Sequence, residues 1–180
     1  MALRRAGAEA VPVKTRAGLD SVAGLIVPGG ESTTVMKLLD RFALARPLQR
    51  RVEAGMPLWG TCMGMIVMAR EVCGTEQPTL GLLDVAVRRN AFGRQNESAE
   101  LPLEVAALGE PTFPAIFIRA PWVEQAGPAV EVLAQRDGHG VMVRQGNLLG
   151  TSFHPELSAD LRVHRYFLEM VAARPELVKG

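Results

Sequence analysis

The sequence predicts an α/β fold, a three-layer sandwich with a mainly parallel central sheet and an antiparallel extension. Three observations predict it. In the first half, short and continuously apolar runs alternate with helical stretches, the pattern of strands covered on both faces. One such run passes directly into a helix through Gly60-Thr61-Cys62-Met63-Gly64. In the second half, strand-like runs are joined by DGHG and QGN, which signal hairpin turns.

Taken in order, Ala8 to Lys14 and Gly24 to Val27 read as buried strands, the second ending at Pro28-Gly29-Gly30. Residues 33 to about 51 carry Val35, Leu38, Leu39, Phe42 and Leu48 close to helical spacing, so one helix is expected there. Met56 to Trp59 reads as a short buried strand and Met63 to Val72 as the helix after it. Leu82 to Arg88 and Ala115 to Ile118 are strand-like, with a polar stretch from Gly93 to Glu100 between them. Strands at Glu131 to Arg136, Val141 to Gln145 and Leu148 to Ser152 follow, then an amphipathic helix from about Ala159 to Ala172. No repeat or low-complexity linker divides the chain, so residues 1–180 are expected to form one domain.

A net charge of +1 gives no reason to expect nucleic acid or an anionic membrane as partner. No apolar run approaches the roughly 20 residues needed to span a bilayer. The opening MALRRAGAEA lacks the apolar core of a signal peptide. Cys62 and Cys73 make a poor disulfide framework, which points to a reducing cytoplasm. The histidines His139, His154 and His164 fall in no CxxC or HExxH pattern, so neither a metal nor a cofactor is expected.

The strongest local signal is the Gly60-x-Cys62-x-Gly64 elbow between strand and helix. A nucleophile on such a turn sits in strained backbone, and residues two positions away must be small to avoid collision. Cys62 also falls at a helix start, where the dipole favours a thiolate, and the Met63 N–H is placed to donate to an oxyanion. A buried structural cysteine is the commoner role of a lone thiol, and Cys73, without glycines around it, is assigned to packing.

A thiolate in acyl transfer needs a proton carrier and a group that holds the carrier's tautomer. His154 and Glu156, at i and i+2 of an extended segment stiffened by Pro155, project to the same side. Read alone, they are better explained as a satisfied strand-end histidine beside a surface glutamate. His139, in an expected hairpin turn, and His164, on the last helix, have no carboxylate so placed. Pro28-Gly29-Gly30-Glu31-Ser32-Thr33 closes an early strand, and its glycines let backbone N–H groups approach a ligand. Glu31 or Ser32 is equally a helix cap.

In this order the three segments resemble the class I glutamine amidotransferases. In that family, which is flavodoxin-like, a strand–PGG turn contributes an oxyanion-hole amide, a GxCxG elbow carries the thiolate, and an HPE segment completes a triad. The likeness is closer still to one branch, the glutaminase subunits of pyridoxal 5′-phosphate synthase. PGGEST, GTCMG, RRNAFGRQ, FIRAP and SFHPEL all look like its signature segments and span Gly24 to about Phe167. The resemblance implies a triad of Cys62, His154 and Glu156, and an oxyanion hole at Gly30 and Met63. It implies glutamine binding by Gly30, Glu31, Ser32, Arg89, Ile118 and Arg119. Without the resemblance, the two arginines would read as solvated strand-end charges.

The resemblance further implies hydrolysis of L-glutamine to L-glutamate and ammonia through a cysteine thioester. The ammonia would pass to a synthase subunit that makes pyridoxal 5′-phosphate (vitamin B6) within a hetero-oligomer, because the chain has no room for a synthase domain. Low activity is expected until that partner docks. Two departures stand out. Met1 to Arg5 matches the end of the family's first helix, so its N-terminal strand is expected to be missing and its neighbours' edges exposed. Ala99 stands where relatives tend to carry an aromatic residue, a local packing change. The alternatives are a glutaminase subunit of another class I amidotransferase, a cysteine peptidase on a related fold, and a catalytically impaired binding or regulatory subunit.

Overall fold

The computed structural model describes residues 2–91 and 98–177. Two short helices, α1 (Ala2–Arg5) and α2 (Arg16–Asp20), precede β1 (Leu25–Val27). Helices α3 (Ser32–Arg41) and α4 (Ala45–Glu53) lead to β2 (Leu58–Thr61), α5 (Met63–Met68), β3 (Ala69–Val72) and β4 (Leu83–Arg88). A two-stranded ribbon of β5 (Ser98–Leu103) and β6 (Phe113–Ile118) comes next. Strands β7 (Trp122–Ala126), β8 (Glu131–Arg136), β9 (His139–Gln145) and β10 (Leu148–Thr151) follow, and α6 (Arg162–Ala172) is the last α-helix described.

Among the described residues, the main sheet runs β1-β2-β10-β9-β7-β4-β3, with β8 also paired to β9. β1, β2 and β10 are mutually parallel, as are β3 and β4, while the pairings through β9 and β7 are antiparallel. The α/β architecture is as expected, but the sheet is mixed, its antiparallel part larger than an extension. The difference comes from β7, which pairs antiparallel with both β4 and β9. The β8–β9 hairpin was expected from its turn, where Asp137 (φ 51°) and Gly138 (φ 78°) both adopt left-handed backbone whose twist suits a hairpin.

Alternation along the central strands builds a core on each face. Leu58, Val143 and Leu148 face a cluster with Met36, Leu48, Val52 and the α5 residues Met65 to Met68. Their neighbours Trp59, Met142 and Leu149 face Phe113, Phe117, Phe153, Phe167 and Met170 from the ribbon and α6. All four residues of β2 are buried, which anchors the elbow that follows it in the core.

Several elements depart from the expected ones. Ala8 to Lys14 is not a strand. With residues 24–26 it borders a groove of about 680 Å³ that Phe167 and Val171 also line, and among the described residues no strand lies beside it to complete a ladder. The long helix expected from 33 to 51 is broken after Arg41, with Ala43 at φ 51°. Pro47 explains the break, since in a continuous helix its ring would meet the carbonyl of Ala43 and it has no N–H to bond. At the third position of α4, where no intrahelical donor is needed, it is tolerated. The helix expected from Met63 to Val72 ends at Met68, and residues 69–72 pair with β4 instead. Ser98 to Glu100, expected in a polar stretch, belongs to β5, and the rest of that stretch, Gly93 to Glu97, lies outside the described residues. β7 had no counterpart among the expected strands. No helix among the described residues is long and apolar enough to cross a membrane.

Candidate active site

Cys62 follows β2 at the N-terminus of α5, with φ 50° and ψ −112°. A non-glycine residue held there stores about 1–3 kcal/mol of strain, which the surrounding structure must impose. Two glycines allow it. A Cβ on Gly60 would lie 2.5 Å from the carbonyl carbon and oxygen of Gly64, and one on Gly64 would lie 2.0 Å from the Val27 oxygen. The Cys62 N–H donates to Thr151 O at 2.7 Å, which ties the turn to β10. The sulfur lies 3.7 Å from Ile118 O, within reach of a weak S–H hydrogen bond. α5 has only six residues, so its dipole is short and a thiolate must depend on a neighbouring charge.

That neighbour is His154, which lies three residues beyond β10, the strand beside β2. Its N–H donates to Ile116 O at 2.8 Å, and its Nδ1 lies 2.7 Å from Glu156 Oε1. Nε2 is left for the sulfur. Gly29 marks how closely the parts meet, because a Cβ there would lie 2.6 Å from His154 Cε1 and 3.5 Å from Cys62 Cβ. The hydrogen bond to the Cys62 sulfur, then the one to Glu156, raises the imidazole pKa from 6.5 to about 10 against the opposing effect of burial. Burial pushes the Glu156 carboxyl upward, but the His154 hydrogen bond and charge bring it below its usual value. The pair is therefore imidazolium and carboxylate at neutral pH.

These groups open on a cavity of about 580 Å³. Of the expected site residues, Gly30, Glu31, Cys62, Met63, Arg89 and Ile118 line it, as do Arg119, His154 and Glu156. Ser32 does not, because its hydroxyl is fully buried and accepts from Gln77 Nε2 at 2.8 Å. Glu31 caps α3, accepting from the Thr34 N–H at 2.9 Å and from the Thr33 hydroxyl. Those bonds, Thr33's first, lower its pKa to about 2. Its other oxygen lies 3.4 Å from Arg89 Nη2, and Arg89 Nη1 donates to Gln77 Oε1 at 2.8 Å.

Three contributors escaped the sequence reading as site residues. Asn90 (φ 47°) and Leu157 line the cavity beside expected neighbours, and Gln77 stands behind Arg89. Adjacency to Arg89 and Glu156 was the available signal for the first two. For Gln77 there was none. The other histidines are accounted for elsewhere. His164 is buried edge-on against Trp59 at 5.1 Å, its pKa lowered by burial. His139 begins β9, just past the turn, and stacks on Trp122 at 3.8 Å. Cys62 and Cys73 are both free thiols.

The family model of the SNO glutamine amidotransferase family matches residues 1–173. The pyridoxal 5′-phosphate synthase subunit PdxT of Moorella thermoacetica is 52% identical over 94% of this chain and 90% of its own. The protein of the same name from Dehalococcoides mccartyi (strain ATCC BAA-2266 / KCTC 15142 / 195) is 57% identical over 93% of this chain and 88% of its own. A crystal structure described as a glutamine amidotransferase superposes with a TM-score of 0.90 at 50% identity, covering 95% of this chain and 90% of that one. A strained cysteine beside an imidazole–carboxylate pair is thus set in a chain that belongs to the SNO glutamine amidotransferase family.

Proposed function

We propose that the chain is the glutaminase subunit of a pyridoxal 5′-phosphate synthase, hydrolysing L-glutamine to L-glutamate and ammonia with Cys62, His154 and Glu156. The observation that carries the reading is the 2.7 Å His154–Glu156 contact beside a cysteine held at φ 50°, all lining one cavity. The Cys62 thiolate attacks the side-chain amide carbon of glutamine. The tetrahedral oxyanion is met by N–H groups at Gly30 and Met63, where the cost of new charge is greatest. His154 passes its proton to the departing nitrogen, ammonia leaves, and a thioester remains. The now neutral His154 takes a proton from water, whose oxygen attacks the thioester to release glutamate and restore the thiolate–imidazolium pair. Arg89 and Arg119 offer donors to the α-carboxylate of glutamine.

In this reading the ammonia goes to a separate synthase subunit in a hetero-oligomer, and the chain acts as one cytoplasmic domain with free thiols. Adding a purified pyridoxal 5′-phosphate synthase catalytic subunit should raise glutamate release and let glutamine replace ammonium salts in pyridoxal 5′-phosphate formation. Stimulation instead by an imidazole- or nucleotide-forming synthase would move the chain to another branch of the amidotransferases.

The protonation pattern gives a second test. A raised pKa keeps His154 charged until pH reaches about 10, so activity that needs the imidazolium is full below that value and falls as pH rises through it. Glu156→Gln removes one of the two groups that raise it. The alkaline limb of kcat/KM should then move to lower pH, and a profile that stays in place would remove Glu156 from the assignment.

A further inference from the structure

We infer that Gln77 is a positioning residue for the glutamine pocket, fixing the guanidinium of Arg89 so that its free donors face the substrate's α-carboxylate. The inference rests on the reading of the 580 Å³ cavity as that pocket. Gln77 lies between β3 and β4 and is not among the residues lining the cavity. Both ends of its amide are used inside the protein. Oε1 accepts from Arg89 Nη1 and Nε2 donates to the buried Ser32 hydroxyl, each at 2.8 Å.

The partners settle which way the amide faces. A guanidinium can only donate, so the atom opposite Arg89 must be the oxygen, and the nitrogen is left to the hydroxyl. The segment carrying Gln77 is itself fastened three residues later, where the Leu80 N–H donates to Val67 O at 2.8 Å and Leu80 O accepts from Gln49 Nε2 at 2.8 Å. Ser32 opens α3, directly after the Glu31 cap. One amide therefore joins the α3 start, the β3–β4 connection and the arginine that follows β4.

Arg89 is gripped at both terminal nitrogens, by Gln77 and more loosely by Glu31 at 3.4 Å. Its remaining N–H groups are enough for a two-point contact with a carboxylate. Without Gln77, the long side chain regains rotamer freedom that substrate binding must remove, and its nearest partner is the half-exposed Glu31 carboxylate, which competes with the carboxylate of glutamine. Both bonds of the Gln77 amide go to Ser32 and Arg89 rather than to Cys62, His154 or Glu156, so binding should suffer and chemistry should not.

The test is steady-state kinetics on the chain assembled with its synthase partner, for glutamine and for 4-aminobutanamide, which is glutamine without its α-carboxylate. Gln77→Ala should raise KM for glutamine about tenfold with kcat within about twofold, and leave kcat/KM for 4-aminobutanamide unchanged. Gln77→Met, which keeps the volume without either hydrogen bond, should behave as Gln77→Ala does. In an Arg89→Ala background, Gln77→Ala should add no further loss. Native KM in Gln77→Met, equal losses on both substrates, or multiplying effects of the two substitutions would each overturn the inference. The pocket reading is separable. If Arg89→Ala raises KM for glutamine and Gln77→Ala does not, only the role of Gln77 falls. If neither substitution changes KM, the pocket reading falls as well.

Discussion

Cys62→Ala is expected to lower kcat for glutamate release by about 10⁴-fold or more, since removing a nucleophile leaves only what binding and oxyanion donors contribute. The alternatives in the cavity are weak. Glu156 is held by the imidazole and Glu31 is occupied by its capping bonds and Arg89, while the Ser32 hydroxyl lies outside the cavity, buried against Gln77. None of them stands on a turn that aims it at a bound amide. Alanine is smaller than cysteine and keeps a Cβ, so the turn geometry and the core survive, and calorimetric binding of glutamine should persist. Glutamate release measured with the synthase partner present checks the expectation. Equal release from native and Cys62→Ala proteins would reject the cysteine as nucleophile.

Gly64→Ala is expected to be the most damaging small substitution, costing about 3–5 kcal/mol of stability. Its Cβ would stand 2.0 Å from the Val27 oxygen and 2.9 Å from the Val27 carbon. Both are backbone atoms of a strand paired to β2 at Gly60, so neither can swing aside as a side-chain tip could. Relief would require β1 and α5 to separate, which opens the core packed between them. Urea unfolding should show a midpoint far below that of the native chain. Gly74→Ala is the control, since a Cβ there meets nothing within 4 Å and only its φ of 75° opposes the change, at about 1 kcal/mol. Similar midpoints for the two variants would contradict the close approach of β1 to the elbow.

The elbow and the histidine segment were legible because their requirements are local. Gly60, Cys62 and Gly64 announce a sharp turn whatever surrounds them, and His154 and Glu156 share a side through the geometry of three residues. The strands β1, β2 and β4 were legible from their apolar runs, although β1, expected to be buried, is buried only at Val27. What escaped depends on neighbours distant in sequence. AREV after Met68 reads as a continuing helix until β4 offers it a ladder. Ser98 to Leu103 alternates exposed and half-buried positions, and reads as polar loop unless β6 lies beside it. Ala8 to Lys14 has the composition of a strand but, among the described residues, no strand to pair with. Pro47 was a local signal and outweighed the apolar spacing around it, leaving Leu38 and Phe42 exposed rather than in the core. Gln77 is joined to Ser32 and Arg89 only by the fold, since no short pattern relates positions 32, 77 and 89.

Residues 62 and 154 owe their meeting to one rung of the sheet, the pairing of Thr61 with Thr151 on adjacent strands. The chain between those strands is an excursion that leaves the rung and returns to it. Length gained or lost at its outer turns, such as Asp137-Gly138, leaves the separation of sulfur and imidazole untouched. A single residue inserted between Leu148 and Thr151 would instead turn the strand residues after it to the opposite face and displace His154 from the sulfur. The fold thus separates outer turns whose length can change from positions where reading frame and chemistry are the same constraint.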